Sequence, residues 1–148
     1  MDDRGSVLFA KEYHFRDGTT KAKLFVLLNT PGGDENYLLV RTTSQKGDRP
    51  TRPGCIEEKK LFFILANTCF FEKDTWLEFQ TLEEWDRAHV REKFQTVGKL
   101  SPNIFKKVLD CLFRTMSEDI TNYQRKMLDK HLDNGIRKLK DLFDKRRH

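Results

Sequence analysis

Lys23-Leu24-Phe25-Val26-Leu27-Leu28-Asn29, with Leu38-Leu39-Val40-Arg41-Thr42-Thr43-Ser44 a few residues on, decides the fold of this chain. The first run is almost continuously apolar, as a strand buried on both faces must be. Between the two, Thr30-Pro31-Gly32-Gly33-Asp34 breaks any ladder, because proline lacks an N–H and glycine favours turns. Each run also carries polar chemistry at one end. Lys23 opens the first, Thr43 and Ser44 close the second, and a loop with Lys46, Arg49 and Arg52 follows at once.

Working outward, Val7-Leu8-Phe9-Ala10 starts a strand that reaches His14, and Asp17-Gly18 is a strong hairpin signal. Tyr37 to Thr43 forms the third strand and Ser44 to Pro53 a loop. Leu61 to Ala66 is a further strand, and Thr75 to Gln80 alternates as a half-exposed strand should. Thr81-Leu82-Glu83-Glu84 then matches a capping box and predicts a helix through about Phe94. Val97 to Leu100 reads as a short strand or turn. Ser101-Pro102 starts a helix whose core face is Ile104, Val108, Leu112 and Met116. Ser117 is expected to cap a last amphipathic helix that runs through the basic tail. Strands followed by helices argue for an α+β fold with a small antiparallel barrel, rather than alternating βαβ units. The expected division is a body over residues 1–116 and a C-terminal helix over 117–148.

With 148 residues the chain is sized for one domain with a helical extension. No apolar run is long enough to span a membrane, and Met1-Asp2-Asp3-Arg4-Gly5 lacks an apolar signal core. Cys55, Cys69 and Cys111 are odd in number and lack metal-ligand spacing, which fits a reducing cytoplasm. Cys69 and Cys111 lie in apolar runs and read as small core residues, Cys55 as a more accessible structural one. Residues 125–148 hold nine Lys or Arg and four Asp, which accounts for the whole net charge of +5. Such a tail attracts nucleic acid or an acidic protein, or is simply a solvated helix end.

His14, His89, His131 and His148 are scattered, so no metal site is expected. Gly32-Gly33 lacks the Gly-Lys-Ser/Thr ending of a phosphate loop, and no cofactor motif supports a small-molecule enzyme. What remains is His14, Lys23, Arg41, Thr43 and Ser44 with the loop cations. Metal-free RNA cleavage needs deprotonation of a 2′-hydroxyl, stabilisation of a negative phosphorane and an acid for the leaving oxygen. These side chains supply all three. The plainer reading is that hydroxyls and cations merely end a strand in solvent.

The ordered motifs Arg4-Gly5-Ser6-Val7-Leu8, Lys23 to Asn29, Leu39 to Ser44 and Gly98-Lys99-Leu100-Ser101 resemble the PemK/MazF family of bacterial toxins over roughly residues 4–116. The resemblance implies an SH3-like barrel with packed helices, a homodimer and an acidic antitoxin partner. It also implies metal-independent cutting of single-stranded RNA in the cytoplasm. On that reading His14 transfers protons, Lys23 and Arg41 hold the scissile phosphate, and Thr43 and Ser44 donate hydrogen bonds to it. Lys46, Arg49 and Arg52 guide the strand, while Phe15 or Trp76 stacks a base. Family members carry an arginine where this chain has Lys23. Lysine keeps the attraction but not the planar two-toothed grip on phosphate. The alternative is therefore a non-catalytic barrel that binds nucleic acid or an acidic protein.

Overall fold

Asp17-Gly18 turns the chain as its sequence predicts. Gly18 adopts φ +87°, and the Asp17 carboxylate accepts from the Thr19 N–H at 2.9 Å. The turn joins β1 (Ser6–His14) to β2 (Thr20–Leu27) in an antiparallel hairpin. These elements belong to a computed structural model that describes residues 3–129. The other elements are β3 (Tyr37–Thr43), β4 (Gly54–Ile56), β5 (Leu61–Ile64), β6 (Thr75–Trp85), α1 (Arg87–Lys93), β7 (Phe94–Lys99), α2 (Pro102–Met116) and α3 (Asn122–Asp129).

The fold is α+β: the described residues form a seven-stranded antiparallel sheet in the order β4-β5-β6-β3-β2-β1-β7 and three α-helices. Pairing runs in one line from β4 to β7 and does not close on itself among the described residues. Phe25, Val26, Leu27 and Leu28 are all fully buried, so the run that reads as two-sided is two-sided. Val26 and Leu28 face a core shared with Val108, Leu109 and Leu112 of α2. Phe25 and Leu27 face a second core with Leu8, Leu39 and Val90 of α1. Asn29 ends the run buried but satisfied. Its amide donates to the Asn36 carbonyl at 3.0 Å and its oxygen accepts from the Leu38 N–H at 2.9 Å, which pins the β2–β3 connection.

Several local expectations give way to pairing. Thr81-Leu82-Glu83-Glu84 is no capping box. β6 continues through it to Trp85 because Leu39 pairs with Glu83 and Tyr37 with Trp85. Thr81 instead donates to the Glu78 carbonyl (2.6 Å) and accepts from the Arg41 N–H (3.1 Å), closing a bulge in the β3–β6 ladder. The helix starts later, at Arg87, with Asp86 as its cap. Ser117 ends α2 rather than starting the next helix. Thr121 and Gln124 exchange side-chain bonds to each other's N–H at 3.0 Å and begin α3. The rest of the expected tail helix, from residue 130, lies outside the described residues. Ser101 caps α2 as expected, accepting from Ile104 N–H.

Cys55 and Cys111 are joined in a disulfide that ties edge strand β4 to α2, a pairing the odd cysteine count does not signal. Cys69, read as a core residue, is exposed.

Gly98 in β7 lies under the ring of Phe70, and a Cβ there would sit 2.3 Å from that ring. Gly98→Ala is expected to push Phe70 away and to cost about 1–3 kcal/mol, the usual penalty for overpacking. Thermal melting of the variant checks this. An unchanged midpoint would mean that Phe70 is not seated on β7.

Candidate functional site

β2 and β3 pair only from Phe25–Arg41 to Leu27–Leu39. At the next position the Thr42 hydroxyl donates to the Leu24 carbonyl at 2.9 Å, so a side chain takes the place of a ladder rung. Past that point lies a cleft of ≈ 700 Å³. Lys21 and Lys23 line it from β2, and Thr43, Ser44 and Gln45 from the end of β3. Phe70 to Lys73, from the β5–β6 connection, form the facing wall, and Phe9 and Phe15 also contribute. The cationic start of the second run and the hydroxyl-bearing end of the third thus meet in one cavity.

Lys23 is half-buried. Loss of hydration holds its ammonium below the usual lysine range, Glu78 opposes that, and Arg41 and Arg49 add to it. Glu78 sits opposite Arg41 in the β3–β6 register and pairs with Arg49 at 3.2 Å. Three cations therefore share one carboxylate, leaving an excess of positive charge beside the cleft. Arg49 is steadied further by the Gln45 carbonyl at 2.9 Å.

Arg41 lies over two aromatic rings, its Cζ 5.7 Å from the centre of Tyr13 and 5.6 Å from that of Phe15. Its Nε is buried and has no hydrogen-bond partner among the described residues. Tyr13 is fixed in turn by a hydrogen bond to Glu83, which also accepts from Trp85 Nε1 at 3.1 Å. Burial and the Glu83 bond push the Tyr13 hydroxyl up to about 12. Tyr13 therefore stays a neutral donor through the physiological range and holds the platform under Arg41.

Of the residues singled out in the sequence, Lys23, Thr43 and Ser44 line the cleft together. The Thr43 oxygen accepts from the Gln45 N–H at 3.2 Å, which leaves its proton to donate. Arg41 and Arg49 stand beside the cleft, coupled to it through Lys23. His14 does not line it. It is exposed at the hairpin end, with Nδ1 3.2 Å from the Thr20 hydroxyl. Lys46 is exposed on the loop, and Arg52 pairs with Glu58. Trp76 is buried, its Nε1 bonded to the Pro50 carbonyl at 2.8 Å, and cannot stack a base. Phe15 does line the cleft.

The facing wall, Phe70 to Lys73, escapes sequence reasoning. Its only signal is an aromatic pair followed by opposite charges between two strands. Among the described residues no three His, Cys, Asp or Glu side chains gather as a metal site, and no helix is long and apolar enough to cross a membrane. No family model matches the chain, and no curated protein matches it.

Proposed function

We propose that this chain binds single-stranded RNA in the cleft and cuts it without a metal ion, as the toxin of a toxin–antitoxin pair. What supports the reading is the convergence of Lys23, Thr43 and Ser44 on one cavity with surplus positive charge. A strand without secondary structure is needed because its sugar must turn to align the 2′-oxygen with the phosphorus–5′-oxygen bond. The 2′-oxygen bonds to phosphorus and loses its proton to solvent. Thr43, Ser44 and Lys23 stabilise the charged phosphorane, and the 5′-oxygen leaves with a proton from the Lys23 ammonium. Burial makes that ammonium a stronger acid than an ordinary lysine. The products are a 2′,3′-cyclic phosphate and a 5′-hydroxyl.

An acidic segment of an antitoxin would occupy the same cationic cleft and exclude RNA. The expected SH3-like barrel and homodimer belong to the same proposal. Register shifts at Val7/Leu8, Ala10/Tyr13 and Leu39/Arg41 bend the strands in the way that curls a sheet towards a barrel. A second reading, non-catalytic binding of RNA or an acidic protein, is favoured by the position of His14 outside the cleft.

Incubation of unstructured RNA with the protein and a chelator separates the two. Cyclic-phosphate ends that fall by about 10²–10³ in Thr43→Ala support cleavage, that being the usual cost of one transition-state donor. Retention of intact RNA supports the second reading.

A further inference from the structure

The two walls of the cleft carry different chemistry. Lys21, Lys23, Thr43 and Ser44 offer ammonium and hydroxyl groups suited to phosphate. The facing wall also carries a cation, Lys73, but it adds two groups the first lacks, the Phe70 ring and the Glu72 carboxylate. A carboxylate in a cleft that takes a polyanion weakens binding unless it meets donors of its own. Glu72 has no hydrogen-bond or ion-pair partner among the described residues.

The wall is also firmly mounted. Asn67 and Cys69 are held left-handed, at φ 63° and 59°, a conformation that persists only where neighbouring bonds enforce it. The Asn67 N–H donates to the Phe71 carbonyl and the Ala66 N–H to Asp74 Oδ1, both at 2.8 Å. Phe71 is buried as an anchor, and the Phe70 ring rests on Gly98.

We infer that this wall reads a nucleobase and that the base it selects is guanine, with Phe70 as the stacking face and Glu72 accepting the guanine N1–H and N2–H. The inference rests on the RNA reading of the cleft and names the base taken there. Unpaired strands expose their Watson–Crick edges and stack bases on aromatic rings. An ionised carboxylate has two acceptor oxygens and no donor. Guanine alone presents two adjacent N–H donors on that edge. Adenine and cytosine set one donor beside an acceptor nitrogen, which would face the second carboxylate oxygen. Uracil sets its single N–H between two carbonyls.

The test uses fluorescent 2′-O-methyl RNA pentamers, which cannot be cut by their own 2′-oxygen. Each is a uracil tract with guanine, inosine, adenine or uracil at the centre. Binding by the full chain is followed by anisotropy. Guanine is expected to bind about tenfold tighter than adenine or uracil, as one bidentate base contact provides. Inosine, which keeps N1–H but lacks the N2 amino group, falls between. Glu72→Gln offers one donor and one acceptor, so the preference collapses or turns to adenine. Because Glu72 is exposed, the fold survives this change. Lys23→Ala weakens all four probes and keeps their order.

Equal binding of the four probes overturns the base assignment, as does a guanine preference that survives Glu72→Gln. A variant that binds all four tighter by one factor also overturns it, because Glu72 then only repels phosphate. Failure to bind any probe removes the RNA reading together with it. Binding without base preference removes the assignment alone.

Discussion

Removal of the Cys55–Cys111 disulfide, by reductant or in a Cys55→Ser/Cys111→Ala variant, is expected to lower stability by about 4 kcal/mol. For a chain of this size that is a fall of roughly 10–15 °C in Tm. The bond closes a loop of 56 residues. Releasing it returns that loop's freedom to the unfolded chain, and the cost grows with loop length. A domain of this kind has only about 5–15 kcal/mol in total, so the loss is a large share.

The effect is uneven over the molecule. Among the described residues β4 is a three-residue edge strand paired only to β5. It is also held by Ile56, buried with Leu61, Phe63 and Trp76, and by the bond to the buried Cys111 on α2. The loop entering β4 carries Ser44, Gln45 and Arg49, so reduction loosens one cleft wall ahead of global unfolding. Melting with and without reductant checks the prediction, and amide exchange in β4 locates it. A midpoint that does not move with reductant would refute it. The double variant should show no response to reductant.

Lys23→Ala is expected to cut RNA cleavage by at least about 10²-fold, while leaving Tm unchanged or higher. Loss of hydration and the nearby Arg41 and Arg49 both disfavour the ammonium where it stands, against the single attraction of Glu78. The folded pKa is therefore below the unfolded one. The charged form carries a folding penalty that is full at pH values below the folded pKa. The penalty fades as pH rises and is gone above the unfolded pKa. Substitution removes the penalty at every pH. A lysine held for structural reasons would behave in the opposite way, with a loss of stability. If Lys23 is the acid for the leaving oxygen, the wild-type rate should fall on the alkaline side at a pH below that of an ordinary lysine. Cleavage, melting and the pH profile of the pair decide the matter. A Lys23→Ala protein that melts earlier yet cuts normally would remove Lys23 from the site.

The parts of the fold legible in the sequence are those set by a few neighbouring residues. The Asp17-Gly18 turn depends on one glycine at positive φ, and the start of α2 on a hydroxyl beside a proline. β3 follows from its own apolar run, and its ends agree with those predicted. The candidate site was half legible, because Lys23, Thr43 and Ser44 mark strand ends that consecutive strands bring near each other. Phe70 and Glu72 were not, since a turn shows no periodicity and Phe70 is placed by Gly98, 28 residues away. His14 misled because, although it sits opposite Thr20 at the turn end of the β1–β2 hairpin, it is exposed there and does not line the cleft.

By itself, the sequence determined an α+β chain with a doubly buried second strand, a hydroxyl-rich end to the third and a capped helix over Pro102–Met116. Each of these rests on contacts within a turn, a strand or a helix, where local propensity and pattern dominate. Tertiary structure alone decided that β6 overrides a good capping box, that Cys55 finds Cys111, and that β2 and β3 stop pairing to leave a cleft. Those outcomes depend on partners far apart in the chain, and the burial and pairing gained there exceed the local preferences they displace.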